Sequence, residues 1–145
     1  MSASLTTCRS KLEALSVGEA MHVGVVTCTQ DTPLSTVAEI MAGERVHCVV
    51  VTDDPVDAAA LWGVISDLDL VAAAGVRELE EQSAGGSAAS PALMVSPEET
   101  LQRATQLMTE HAAAHLIVAD ATSGSPIGVL STLDIACALA GVEHD

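Results

Sequence analysis

The chain has 145 residues, of which five are basic and twenty acidic, for a formal net charge of −15. A field of that sign repels nucleic acid and anionic membrane surfaces, and it opposes the approach of polyphosphates. Hydrophobic residues make up 49% of the chain, with no Phe or Tyr and Trp62 as the sole aromatic, so the expected core is aliphatic. A flat ligand must then rest on Val, Leu, Ile, Ala and Met rather than on stacked rings.

Residues 1–15 alternate polar and apolar positions and fit either a short helix or a loose arm. Residues 17–21 read as a brief turn, and the β-branched run 23–28 as a strand. Thr32-Pro33 then offers a helix cap and first helical position, followed by Leu34, Val37, Ala38, Ile40 and Met41 at helical spacing, with Gly43 as the stop. A second strand is expected over 47–51, a turn over 52–59 around Asp53-Asp54-Pro55, a third strand over 61–65 and a helix over 67–74 closed by Gly75. Residues 76–90 start charged and end in Ser-Ala-Gly-Gly-Ser-Ala-Ala-Ser, the composition of a flexible linker.

The same order then returns. It comprises a strand over 92–95, a helix start at Ser96-Pro97-Glu98-Glu99, and a stripe of Leu101, Ala104, Leu107 and Met108. A strand over 115–119, a turn over 120–126, a strand over 127–130 and a helix over 132–140 stopped by Gly141 complete it. Leu34 matches Leu101 and Met41 matches Met108, both 67 positions on, and His47 is aligned with His115 at 68. The phrase Gly63-Val64-Ile65-Ser66-Asp67-Leu68-Asp69 recurs as Gly128-Val129-Leu130-Ser131-Thr132-Leu133-Asp134, 65 positions on. Recurrence at a near-constant offset marks a duplicated unit. The boundaries expected are an arm over 1–16, one repeat over 17–76, a linker over 77–90, a second repeat over 91–141 and a tail over 142–145.

With these residues in place, the chain resembles a tandem pair of CBS domains, a Bateman module. The resemblance rests on Val17-Gly18-Glu19-Ala20-Met21, Val25 to Cys28, Leu34 to Met41, His47 to Val51 and the Gly63 phrase. It continues in the second copy from Ala92, where no Val-x-x-x-Met opening is visible. It implies an α/β (α+β) fold of two β-α-β-β-α CBS repeats packed about a pseudo-twofold axis. Between the copies it implies clefts that take adenosine compounds such as AMP, ADP, ATP or S-adenosylmethionine. It also implies a homodimer that regulates a partner protein, whose identity the sequence does not show.

By that resemblance Asp69 and Asp134 hold ribose, and Ser66, Ser131, Thr132, His47 and His115 lie on the phosphate side. Val26, Thr27, Leu93 and Met94 lie on the adenine side. A helix N-terminus leaves backbone N–H groups unpaired, which suits a phosphate, and an ionised carboxylate accepts both hydrogens of a ribose diol. Ser-x-x-Asp is also a capping box that satisfies its own helix end, and the residues alone leave both roles open. Asp67 adds a negative charge at the first corner where Thr132 is neutral at the second, so phosphate is expected to favour Ser131/Asp134, and Ser66/Asp69 to prefer a nucleoside or stay empty. Arg45, Arg77 and Arg103 remain as candidate charges, with solvated surface the default for Arg45 and Arg103, and the shortage of cations argues against tight ATP binding without a metal.

Two other readings stand beside the sensor: a ligand-free dimerisation scaffold of the same fold, and a thiol redox or metal sensor using Cys28, Cys48 and a histidine. Cys8, Cys28, Cys48 and Cys137 form no CxxC pair, no secretory pattern opens the chain, and no apolar run approaches the ~18 residues of a membrane span. A cytoplasmic location with reduced thiols is therefore expected, with no nucleic-acid or membrane partner. No GxSxG, P-loop, GxGxxG or HExxH motif occurs, and neither an enzymatic activity nor a required cofactor or metal is expected.

Overall fold

The structure, a computed structural model, describes residues 2–54, 60–90 and 92–142, so residues 55–59 of the expected turn lie outside the described residues. The chain divides into two bodies: Val25–Leu93, and Met1–Gly24 together with Met94–Asp145.

In the first body β2 (Thr27–Thr29), β3 (Cys48–Thr52) and β4 (Leu61–Ser66) form a sheet in that order, β2 parallel to β3 and β3 antiparallel to β4. Helix α3 (Leu34–Glu44) makes the parallel crossover, and α4 (Asp67–Ala74) follows β4 directly. All five β3 residues are buried, which fits a continuous Val-rich run covered on both faces. Leu34, Val37, Met41, Val49, Val51, Ile65, Ala73 and Ala84 make the core. Each fully buried Val, Leu or Ile contributes roughly 1.5–3 kcal/mol.

The second body repeats this plan with β5 (Met94–Val95), α6 (Leu101–His111), β6 (His115–Ala119), β7 (Pro126–Ser131) and α7 (Thr132–Ala140). Its sheet has a fourth strand, β1 (His22–Val23), antiparallel to β7 in the order β1-β7-β6-β5. Helix α1 (Ser2–Ala14) lies against α6 and α7, and Lys11 Nζ donates to the Leu139 carbonyl at 2.8 Å. This resolves the N-terminal segment as a helix.

Short leading segments sit alike in the two bodies. Helix α2 (Val17–Ala20) has Val17 fully buried; its Val17 and Gly18 N–H groups donate to the carbonyls of Glu99 (2.8 Å) and Pro97 (2.9 Å). Helix α5 (Ala84–Ser87) has Ala84 fully buried; Ala84 and Gly85 N–H donate to Thr32 and Gln30 carbonyls, both at 2.8 Å. Every residue in the second set is 67 positions from its counterpart in the first. Residues 83–87 are therefore the opening that the second copy lacked by sequence. The match was hidden because Ala84 stands where Val17 does and Ala88 stands where Met21 does.

Several expectations change accordingly. Residues 77–90 contain a 3-10 turn (Leu79–Glu81) and α5, pinned by Gln82 Nε2 donating to the Ala73 and Arg77 carbonyls at 2.9 and 3.1 Å, so they are an ordered part of the first body. The expected strand over 23–28 is two strands, β1 and β2, in different sheets, with Gly24 at φ +97° between them. Pro33 rather than Thr32 caps α3, while Thr32 Oγ1 accepts from the Thr29 N–H at 3.2 Å. Helix α3 runs through Gly43 to Glu44 and stops at Arg45, left-handed at φ 55°. In the second copy Thr100, not Ser96, caps α6, because the carbonyls of Pro97 and Glu99 are engaged by α2.

Candidate functional site

Each copy of the repeated phrase carries its chain from a strand into a helix, and the glycine has a specific task. A Cβ on Gly63 would stand 2.3 Å from the Ala89 carbonyl oxygen, and one on Gly128 would stand 2.3 Å from that of His22. The glycine lets the leading segment run against the last strand: Ala89 pairs with Val64, and His22 with Val129.

At the first corner Ser66 caps α4. Its Oγ accepts from the Asp69 N–H at 3.1 Å, and Asp69 Oδ2 accepts from the Ser66 N–H at 2.9 Å. The capping role is therefore present, and Asp69 is half-buried. Asp67 is exposed; its N–H donates to the His47 carbonyl at 2.8 Å, and its Oδ2 lies 3.0 Å from His47 Nδ1. His47 and Asp67 thus form an ion pair when the imidazole is protonated. Burial, reinforced by the Asp67 charge, pushes the Cys48 thiol up to about 12.

The second corner has the same frame. Asp134 Oδ2 accepts from the Ser131 N–H at 2.8 Å, Ser131 Oγ accepts from the Asp134 N–H at 3.1 Å, and the Thr132 N–H donates to the Ala114 carbonyl at 3.0 Å. The difference lies at the carboxylate. The Asp134 side chain is 1% exposed, and its Oδ1 lies 2.9 Å from His22 Nδ1.

The register also corrects the histidine alignment. Cys48 pairs with Ser66, and His115 with Ser131. His115 is therefore the counterpart of Cys48, and Ala114 that of His47; the two histidines are adjacent to, not at, equivalent positions. The offset is 67 here, and it falls to 65 after the β3–β4 connection, which is two residues longer than β6–β7.

Of the residues expected on the adenine side, the Val26 carbonyl accepts from the Val50 N–H at 2.8 Å and Thr27 pairs with Val50, which puts both near the Ser66 end of the first sheet. Leu93 is half-buried at the edge of that body. Met94, 49% exposed, pairs with Ile117 near the Ser131 end of the second sheet. His22 and Ala89 were not singled out by sequence. They are 67 positions apart, but their side chains share nothing that a pattern could detect.

The thiol and metal reading gains little. Burial raises Cys28 and Cys48 above the ordinary thiol range, leaving them protonated at neutral pH. Among the described residues no three His, Cys, Asp or Glu side chains gather as a metal site, and no helix is long and apolar enough to cross a membrane.

The family model for the CBS domain matches the chain twice, over residues 17–75 and 88–141. No curated protein matches it. Among solved structures it is similar to the CBS domain of a bacterial CNNM/CorC family Mg2+ transporter in complex with ATP, with TM-score 0.79 and 18% identity over 97% of this chain and 98% of that one. A hexameric CBS-CP12 protein from bloom-forming cyanobacteria gives TM-score 0.74 and 20% identity over 85% of this chain and 70% of that one. Hypoxic Response Protein I with two coordinated zinc ions gives TM-score 0.67 and 22% identity over 83% of this chain and 96% of that one. The described residues form a mixed α+β fold with two sheets that matches these structures, and the two family matches cover most of the sequence: the chain belongs to the CBS domain family, as a tandem pair.

Proposed function

We propose that this chain is a regulatory sensor that binds the ribose of an adenosine ligand at Asp69 and passes the binding event to a partner protein. Tandem CBS pairs are regulatory modules, and adenosine ligands are bound within the family. The observation that carries the reading here is the first corner itself: a half-buried carboxylate at a helix start, next to a serine and to the aliphatic end of a sheet. Asp67 and Asp69 together favour a nucleoside, a monophosphate or the cationic S-adenosylmethionine over a polyphosphate. His47 partly offsets Asp67 when protonated, which suits a single phosphate.

Ser131, Thr132 and His115 remain a phosphate-side set without that extra charge. The charge argument ranks the second corner first for phosphate, whereas the exposure of the carboxylate ranks the first corner first for ribose. Binding shifts the protein between arrangements only as far as the ligand prefers one of them.

Self-association uses the apolar face of α4, where Leu68 and Val71 are 73% and 67% exposed. The same patch is what a ligand-free scaffold would use. Thermal denaturation with AMP, ADP, ATP and S-adenosylmethionine separates the readings. A ligand at a hundredfold excess over its Kd adds about 2.7 kcal/mol. A melting point indifferent to all four leaves the scaffold as the function.

A further inference from the structure

We infer that His22 is an internal latch on Asp134, closing the second ribose corner and leaving the first as the operative one. This rests on the reading of the two aspartates as ribose acceptors. The latch follows from three relationships. First, both oxygens of Asp134 have a close neighbour: Oδ2 accepts the Ser131 N–H at 2.8 Å, and Oδ1 stands at ion-pair distance, 2.9 Å, from His22 Nδ1. A diol needs carboxylate lone pairs facing outward. Second, the side chain of Asp134 is 1% exposed while that of His22 is 43% exposed, so the imidazole is the outer member of the pair and covers the carboxylate. Third, the corresponding place at the first corner belongs to Ala89, which exchanges backbone bonds with Val64 at 2.9 and 3.1 Å as β1 does with β7. Alanine carries no polar side-chain atom, so no side chain at that place can cover Asp69. At the place beside the aspartate, two corners of matching backbone thus differ as imidazole against methyl.

His22 is held for this role by the strand rather than by its ring. It pairs with Val129, and the neighbouring Gly24 N–H donates to the Ile127 carbonyl at 2.7 Å, so the backbone position survives loss of the side chain. A ligand reaching Asp134 must displace the imidazole, which can swing toward solvent without disturbing the capping bond at Oδ2. The latch makes His22 a specificity-determining residue for how many adenosine ligands one chain accepts.

The test uses His22→Ala and His22→Asn in the full chain, with adenosine as probe and 2′,3′-dideoxyadenosine as the control lacking the diol. Asparagine places an amide N–H close to where Nδ1 stands and should keep the corner closed. Calorimetric titration should give one adenosine per chain for the unaltered protein and for His22→Asn, and two for His22→Ala. The added site should be lost in His22→Ala/Asp134→Asn and absent with the dideoxy compound. One site in His22→Ala, removed by Asp69→Asn, overturns the latch while leaving the ligand reading intact. Binding of adenosine by none of the proteins overturns the ligand reading. Carboxyl-carbon NMR of the ligand-free chain then judges the latch separately. The Asp134 signal should move in His22→Ala, stay near its original position in His22→Asn, and leave that of Asp69 unchanged. An Asp134 signal unmoved by His22→Ala overturns the contact itself. Circular dichroism of each variant confirms folding, and His22→Asn serves as the folded reference.

Discussion

Gly128 and His22 approach so closely that a Cβ on the glycine would stand 2.3 Å from the His22 carbonyl oxygen. The obstacle is backbone, with no flexible side chain to move aside. Gly128→Ala should therefore cost about 1–3 kcal/mol, the usual range for overpacking. Gly63→Ala should cost a similar amount against Ala89. Gly43→Ala should cost nothing, since no atom lies within 4 Å of a Cβ there. Urea denaturation of the three variants checks the order.

Arg45 and Ala112 both end helices in the left-handed region, at φ 55° and 51°. Side chains with a Cβ are strained there by about 1–2 kcal/mol, and glycine is the usual occupant. Ala112→Gly should stabilise the chain by about 1 kcal/mol, with the Ala113 N–H still donating to Met108. Denaturant midpoints measure it, and a loss of stability would contradict this account of the helix stop.

Cys48 is buried and its thiol is pushed up to about 12, burial being the larger cause and the Asp67 charge the second. It should resist iodoacetamide at pH 8 while Cys8, which is exposed, reacts. A folded-state value above the ordinary 9.0 means the unfolded chain loses its thiol proton first as pH rises. The contribution is fully present below 9 and is lost as pH climbs toward 12. Cys48→Ala should flatten the alkaline fall in stability between pH 9 and 11, measured by urea denaturation. Mass spectrometry of the alkylated peptides checks the reactivity.

Leu68 and Val71 present a large apolar surface on α4. On the proposed self-association through α4, the unaltered chain should sediment as a dimer and Leu68→Glu and Val71→Glu as monomers, without a change in helical signal. An unaltered sedimentation coefficient in both variants would contradict the proposed self-association through α4.

The β-α-β-β-α order was legible because it rests on local signals: Val-rich strands, a helical apolar stripe, and a phrase repeated at a fixed offset. The serine caps were legible too, as Ser-x-x-Asp carries its hydrogen-bond pattern in its spacing. What escaped is non-local. No sequence pattern says that Val17 lands on Glu99, or that Ala84 is the counterpart of Val17. Arg45 and Ala112 as helix stops were hidden because neither is glycine, and Gly43, which is glycine, lies inside the helix. His22 carries no signal in its neighbourhood, because its meaning comes from a strand pairing with Val129, more than a hundred residues away in sequence.

The central claim is that an adenosine ligand is held through ribose at Asp69, and Asp69→Asn tests it most directly. The amide keeps an oxygen to accept the Ser66 N–H, so the cap survives while the charge is removed. Charge-assisted bonds contribute about 1.5–3 kcal/mol, so Asp69→Asn should weaken binding at least about tenfold in calorimetric titration with S-adenosylmethionine or AMP. Asp134→Asn should leave it within about twofold, a difference well under 1 kcal/mol. Equal affinity in the unaltered chain and Asp69→Asn would contradict the account.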